Sequence, residues 1–298
     1  MSTVAVIGSF DGVHLGHRAL IAAARARAGR DRLVAVTFDP HPRAAVQQVE
    51  IPMLTSCSTR QRLLREAGAD HVEVLAFTRA LQQLPAEEFI REVIRGRICA
   101  EGVMVGANFR FGRRAAGDPD LLRRELAAAG GWAEALELHE DGGEVVSSSR
   151  IRALLHAGSV GEAARLLGRE HEYEGVVVSG ARRGRELGMP TLNVEAAENL
   201  VLPADGVYAG RVTGVAAGPW PAAVSVGTNP QFEGTVRTVE AHLIDWDDSD
   251  CYGREVAVAF TARLRAQERF ESVGELVRQM RLDVDRAREL LRNVPEIG

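Results

Sequence analysis

The stretch VAVIGSFDGVHLGHRALIAAARARA, residues 4–28, decides the fold. Val4 to Ile7 form an apolar run of the length of a short buried strand, and Arg18 to Ala28 carry helical periodicity. A glycine-bearing turn lies between them. Strand, turn and helix in this order open a βαβ unit, and there the turn's backbone N–H groups and the positive end of the helix face a ligand together. His14 and His17, at i and i+3, leave the first helical turn on one side. Their expected target is an anion, phosphate above all.

The same alternation continues. Leu33 to Phe38, Val72 to Leu75 and Val103 to Gly106 are further strand candidates, with helical patterns at Thr59 to Ala67 and Ala86 to Arg95. This predicts a parallel sheet covered by helices, binding ligands beyond the carboxyl ends of its strands. Ser159 and Glu162 have capping-box spacing and Gly168 is a helix stop, so a short helix closes the first domain and the boundary falls near residues 168–172. Beyond it strands follow without helices: Glu174 to Ser179, Gly206 to Val212, Ala222 to Val226, Thr238 to Ile244 and Val256 to Phe260. These predict a small antiparallel barrel. A second capping box, Ser272 with Glu275, opens a terminal helix with Leu276, Val277, Met280, Val284, Ala287 and Leu291 on one stripe. The expected domains are 1–170 and 171–298.

A chain of 298 residues suits two domains, and 46% hydrophobic with 26% charged residues is ordinary globular composition. A net charge of −5 argues against a nucleic-acid partner held by bulk charge and fits small anionic ligands better. Cys57, Cys99 and Cys251 lie far apart, with neither disulfide nor zinc spacing, as expected in a reducing cytoplasm. No run of about 18 apolar residues suggests a membrane span, and the N-terminus lacks the pattern of an export signal.

With the aromatic, acidic and glycine residues around the two histidines, GSFDGVHLGH resembles the His-x-x-His nucleotidylyltransferase signature, in the form found in the bacterial bifunctional riboflavin kinase and FAD synthetase family. TFDPHP (37–42), VGANFRFG (105–112) and SSSRIR (147–152) extend the likeness in order. The resemblance implies a Rossmann-like α/β domain that adenylylates FMN to FAD. Gly8, Phe10, Asp11, Gly12, His41, Asn108, Ser148 and Arg152 would then bind the nucleotide or its phosphates, with His14 and His17 as catalytic residues. An attacking phosphate is already anionic, so positioning and charge stabilisation must supply most of the catalysis.

GARRGRELGMPTLN (180–193) resembles the riboflavin kinase signature, with Leu192 where the family usually has alanine. The resemblance implies phosphate binding by Gly184, Arg185 and Gly188. Thr191 and Asn193, two apart in an extended segment, point to one side and can offer oxygens to Mg²⁺ and ATP phosphates. A kinase acts on a neutral hydroxyl, so a proton acceptor helps. In VEAHLID (239–245) alternation sends Val239, Ala241 and Leu243 inward and Glu240 and His242 outward, and Glu240 matches the family's catalytic carboxylate. PADGVYAG (203–210), VGTNPQF (226–232) and CYG (251–253) extend the match. The likeness further implies flavin contacts from Asn229, Tyr252, Arg265 and Phe270.

Covering residues 4 to 295, the resemblance implies an α/β fold with a C-terminal β-barrel and terminal helix. It also implies ATP and Mg²⁺ as co-substrate and cofactor, and riboflavin, FMN and FAD as ligands. Only three residues precede Val4, whereas family members usually carry more, so a missing edge element is expected to weaken the first domain or its adenylyl activity without removing any residue named above. Two other readings compete. The first domain alone also resembles cytidylyl- and pantetheine-phosphate adenylyltransferases, which leaves the barrel motifs unexplained. A flavin- or nucleotide-binding regulator with decayed catalysis would suit Leu192 and the short N-terminus but not the intact His14, His17, Thr191, Asn193 and Glu240.

Overall fold

The protein is described by a computed structural model covering residues 2–180, 188–196, 198–228, 237–247 and 249–293. Its contacts divide it into two compact units, Met1–Ile51 with Cys57–Ser148, and Pro52–Ser56 with Ser149–Gly298.

The first unit holds a five-stranded parallel sheet of β1 (Thr3–Ile7), β2 (Arg32–Asp39), β3 (His71–Ala76), β4 (Gly102–Gly106) and β5 (Trp132–Leu136), in the order β3-β2-β1-β4-β5. The continuous apolar runs have a simple cause, since both faces of the sheet are buried. Val4 and Val6 of β1 join one core cluster with Leu33, Ala35 and Met104, while Ala5 and Ile7 join another with Val34, Val36, Val103 and Val105. Helices α1 (Leu15–Ala28), α2 (Pro42–Gln47), α3 (Cys57–Glu66), α4 (Arg79–Gln83), α5 (Ala86–Glu88) and α6 (Pro119–Ala128) lie between the strands. The helix expected over residues 86–95 is only one α-turn followed by a π-helical run, Phe89–Arg97. A 3.6-residue pattern does not reveal that switch, because the two forms differ in which carbonyl accepts each hydrogen bond. A two-strand hairpin, β6 (Glu140–Asp141) with β7 (Glu144–Val145), follows β5.

The second unit begins with α7 (Ser148–Ala157), whose first residue groups with the first unit, and α8 (Val160–Leu167). Gly168 ends α8 in the left-handed conformation, φ 74°, as expected of a helix stop. Ser159, however, makes no side-chain cap; its ψ of 59° departs from the extended backbone usual at an N-cap. The closed barrel contains β8 (His171–Val178), β9 (Leu192–Glu195), β10 (Gly206–Ala216), β11 (Gly218–Thr228), β12 (Arg237–Leu243) and β13 (Glu255–Arg265), in the order β10-β11-β12-β9-β8-β13. Helix α9 (Val273–Asn293) buries Val284, Ala287 and Leu291 with Val207, Ala209 and Ala223 of the barrel. At its start the Ser272 hydroxyl accepts the Glu275 N–H (3.2 Å), as expected. The Glu275 carboxylate reaches one residue further back than a capping box requires, to the Glu271 N–H (3.2 Å).

Candidate functional site

The first site is built on irregular backbone. After β1 the chain passes through Phe10 (φ 50°), Gly12 (φ 82°) and Val13 (φ 40°) before His14 caps α1 in extended conformation. Positive φ at a β-branched residue such as Val13 stores strain of about 1–3 kcal/mol, which persists only where surrounding contacts impose it. Those contacts are explicit. Gly8 N–H donates to Val36 O (3.1 Å), Thr37 Oγ1 donates to Ser9 O (2.9 Å), and Ser148 Oγ donates to Asp11 O (2.8 Å). Phe10, Asp11 and Thr37 are fully buried.

On this support His14 and His17 stack, their ring centroids 3.6 Å apart and planes 19° from parallel, while Phe10 meets His17 edge-on at 5.2 Å. Burial first, and the neighbouring His14 second, push the His17 imidazole well below the usual histidine range. His17 Nδ1 is buried with no hydrogen-bond partner among the described residues. An imidazole held neutral by burial at a helix N-terminus keeps one ring N–H to donate to a negatively charged oxygen. His41 caps α2, its Nδ1 accepting the Arg43 N–H (3.2 Å). Asn108 follows β4 in a turn closed by Phe109 N–H on Gly106 O (2.9 Å). Arg152, one turn beyond Ser148 on α7, groups with the second unit, where its Nε donates to Pro52 O (2.8 Å).

The motif reading missed a cavity of about 610 Å³ in the first unit. Phe38, Phe77, Phe89, Phe109 and Phe111 line it together with Arg43, Arg110, Arg113 and Arg114. Phe109 and Phe111 stack at 5.5 Å, and Phe38 meets Phe77 edge-on at 5.8 Å. Phe38 is the next-to-last residue of β2 and Phe77 follows β3, so the cavity opens where a parallel sheet is expected to bind. The usable sequence signal was the pair of phenylalanines in NFRFG, between which an arginine is set.

In the second unit one cavity of about 370 Å³ gathers residues from three separate segments: Thr191, Glu240, and Arg265 with Phe270. Its floor is the outward face of β12, as alternation predicted: Val239, Ala241 and Leu243 are buried, while Glu240 and His242 are half-buried and line the cavity. Leu276, Met280 and Asp283 of α9 form the opposite wall. Asn193 stands directly across from Glu240 in the β12–β9 ladder, although it is not among the lining residues. Its amide packs so close to Gly180 that any Cβ there would overlap it, which accounts for the first glycine of the GARRG turn. Arg265 donates through Nε and Nη2 to both oxygens of Asp283 (2.8–3.1 Å) and lies over the Phe270 ring at 5.7 Å. Gln267 Nε2 ties the same loop to Ser225 Oγ (3.0 Å) and Val226 O (3.1 Å). Asp283 carried no motif and Gln267, inside LRAQERF, was given no role, so both were missed.

Tyr252 is not among the residues lining this cavity; it is 47% exposed on the turn before β13, where its N–H donates to Asp250 (2.9 Å). Gly188 has φ 73°, a conformation that favours glycine. Gly184, Arg185 and Asn229 lie outside the described residues.

Comparison with known proteins agrees with this division. The FAD synthetase family matches residues 1–150, and the riboflavin kinase family matches residues 167–291. The chain is 34% identical to the bifunctional riboflavin kinase/FMN adenylyltransferase of Escherichia coli K12, over 96% of this chain and 92% of that one. It is 35% identical to the protein of that name from Pseudomonas fluorescens, over 96% and 92%. The crystal structure of a macrolide-efflux protein from Streptococcus pneumoniae superposes with a TM-score of 0.88 at 31% identity, covering 99% of this chain and 95% of that one. Its name is not carried over, since both matched families are transferases. No helix among the described residues is long and apolar enough to cross a membrane. The chain belongs to the bifunctional riboflavin kinase/FMN adenylyltransferase family, and its two activities are the ATP-dependent phosphorylation of riboflavin to FMN and the adenylylation of FMN to FAD.

Proposed function

We propose that the two reactions take place at the two sites described, with the functional boundary at residues 170/171. In the barrel, Glu240 accepts the proton of riboflavin's terminal hydroxyl as that oxygen attacks the γ-phosphorus of ATP and ADP leaves. Arg265 and Phe270 bound the flavin side of the cavity, and Gly184, Arg185 and Gly188 hold phosphate. The observation that carries this assignment is that Thr191, Glu240, Arg265 and Phe270 line one cavity.

The residues present suit Mg²⁺ arriving with nucleotide rather than held by the protein alone. Thr191 and Asn193 offer neutral hard oxygens, and no group of three His, Cys, Asp or Glu residues could hold a metal among the described residues. Bound there, the cation would neutralise phosphate charge.

In the first unit the FMN phosphate attacks the α-phosphorus of ATP and pyrophosphate leaves. His14 and His17 stabilise the charge on the phosphates, with Gly8, Phe10, Asp11, Gly12, His41, Asn108 and Ser148 shaping the nucleotide site. The phenylalanine-lined cavity takes the isoalloxazine ring, and its arginines favour a flavin bearing phosphate. We place the protein in the cytoplasm, without a nucleic-acid partner.

The test is to incubate the protein with riboflavin, ATP and Mg²⁺ and separate the flavins by chromatography, for the wild type and for the Glu240→Gln and His17→Ala variants. Loss of only FMN formation in the first variant, and of only FAD formation from supplied FMN in the second, supports the assignment. Equal loss of both steps in either one overturns it.

A further inference from the structure

We propose that His242 is a positioning residue for the kinase step, holding the Pro190–Thr191 segment against the strand that carries Glu240. This rests on the reading of Thr191 and Glu240 given above. His242 Nδ1 lies 2.8 Å from the carbonyl oxygen of Pro190. A carbonyl can only accept, so Nδ1 carries the proton and donates it.

The bond replaces what the backbone cannot make. The β12–β9 ladder pairs Glu240 with Asn193 and Ala241 with Leu192, and there it stops. The next residues on the β9 side are Thr191 and Pro190, and proline has no N–H to extend a ladder. Without another tie the segment bearing the Thr191 hydroxyl would leave the strand just where phosphate oxygens must be met. The side chain of His242 supplies that tie from the same face of β12 as Glu240, and His242, Thr191 and Met189 all line the cavity.

Side-chain geometry gives a test with opposite outcomes. Asparagine places an amide N–H near the position of Nδ1, whereas glutamine places its amide near Nε2. His242→Ala should raise the ATP concentration for half-maximal phosphorylation about tenfold with kcat within about threefold, the pattern of lost uniform binding. Riboflavin binding and adenylylation of supplied FMN should not change. His242→Asn should recover most of the ATP effect and His242→Gln little of it.

Recovery by glutamine and not asparagine would overturn the proposal in favour of direct action by Nε2. So would an unchanged ATP dependence in His242→Ala, or equal loss in all three variants accompanied by a lowered melting temperature. Should His242→Ala fail to fold, the asparagine and glutamine pair still decides the matter. Thr191→Ala and Glu240→Gln separate the two levels. If either leaves phosphorylation intact, the site reading itself falls; if both abolish it while His242→Ala is silent, only this inference falls.

Discussion

The two regions proposed to handle phosphate are built in opposite ways. The proposed adenylylation site sits on a strained turn between β1 and α1, with non-glycine residues at φ 50° and 40° and two stacked imidazoles. The proposed kinase site lies on the outward face of a regular strand, β12, where alternation alone sets Glu240 and His242 on one side. The difference follows the chemistry. An anionic nucleophile needs no base, so the first site invests in backbone placement and charge; a hydroxyl nucleophile needs a proton acceptor, so the second presents a carboxylate.

The contrast can be broken most sharply at Glu240. Glu240→Gln should lower FMN formation about 10²–10⁴-fold, the range for a general base, with adenylylation of supplied FMN unchanged in the same assay. At the other site His17→Ala should cost about 10²–10³-fold in FAD formation, as for loss of one charge-stabilising group. A smaller loss at Glu240 than at His17 would reverse the comparison.

Acid sharpens it at the level of stability. Buried His171, hydrogen-bonded to Val201 O at 2.9 Å, has its imidazole pushed down to about 4, chiefly by burial. The unfolded chain binds this proton below about pH 6.5 and the folded barrel does not, so the contribution is complete above that pH. It disappears progressively towards pH 4, a loss of about 3 kcal/mol. Thermal unfolding between pH 7 and 4 measures it, and His171→Asn should flatten the dependence. Phe109→Ala, which opens the phenylalanine-lined cavity, should raise the KM for FMN about tenfold, the scale of one aromatic pair, and leave riboflavin phosphorylation as it was. Smallest is Ser272→Ala, which removes the α9 cap and should cost about 1 kcal/mol in urea unfolding without affecting adenylylation.

Both architectures were legible in different measure. β1, β2 and β4 announce themselves as apolar runs because both faces of the parallel sheet are buried. Edge strand β5 does not, since WAEAL is only half-buried and breaks the run with Glu134. β9 is four residues long and exists through its pairing with β12 and β8. No local pattern reports such support. Ser159 had the spacing of a cap and lacked the backbone conformation, and Tyr252 sat in a family motif yet faces solvent.

The amino-acid order by itself determined the two-part plan, the histidine-bearing turn, and the face of β12 that carries Glu240, because turns and side-chain alternation are properties of a few consecutive residues. Tertiary structure alone decided that residues 191, 240, 265 and 270 share a cavity, that five phenylalanines and four arginines surround another, and that His242 reaches the Pro190 carbonyl. Those meetings depend on strand register and on packing between segments tens of residues apart, where no local period operates.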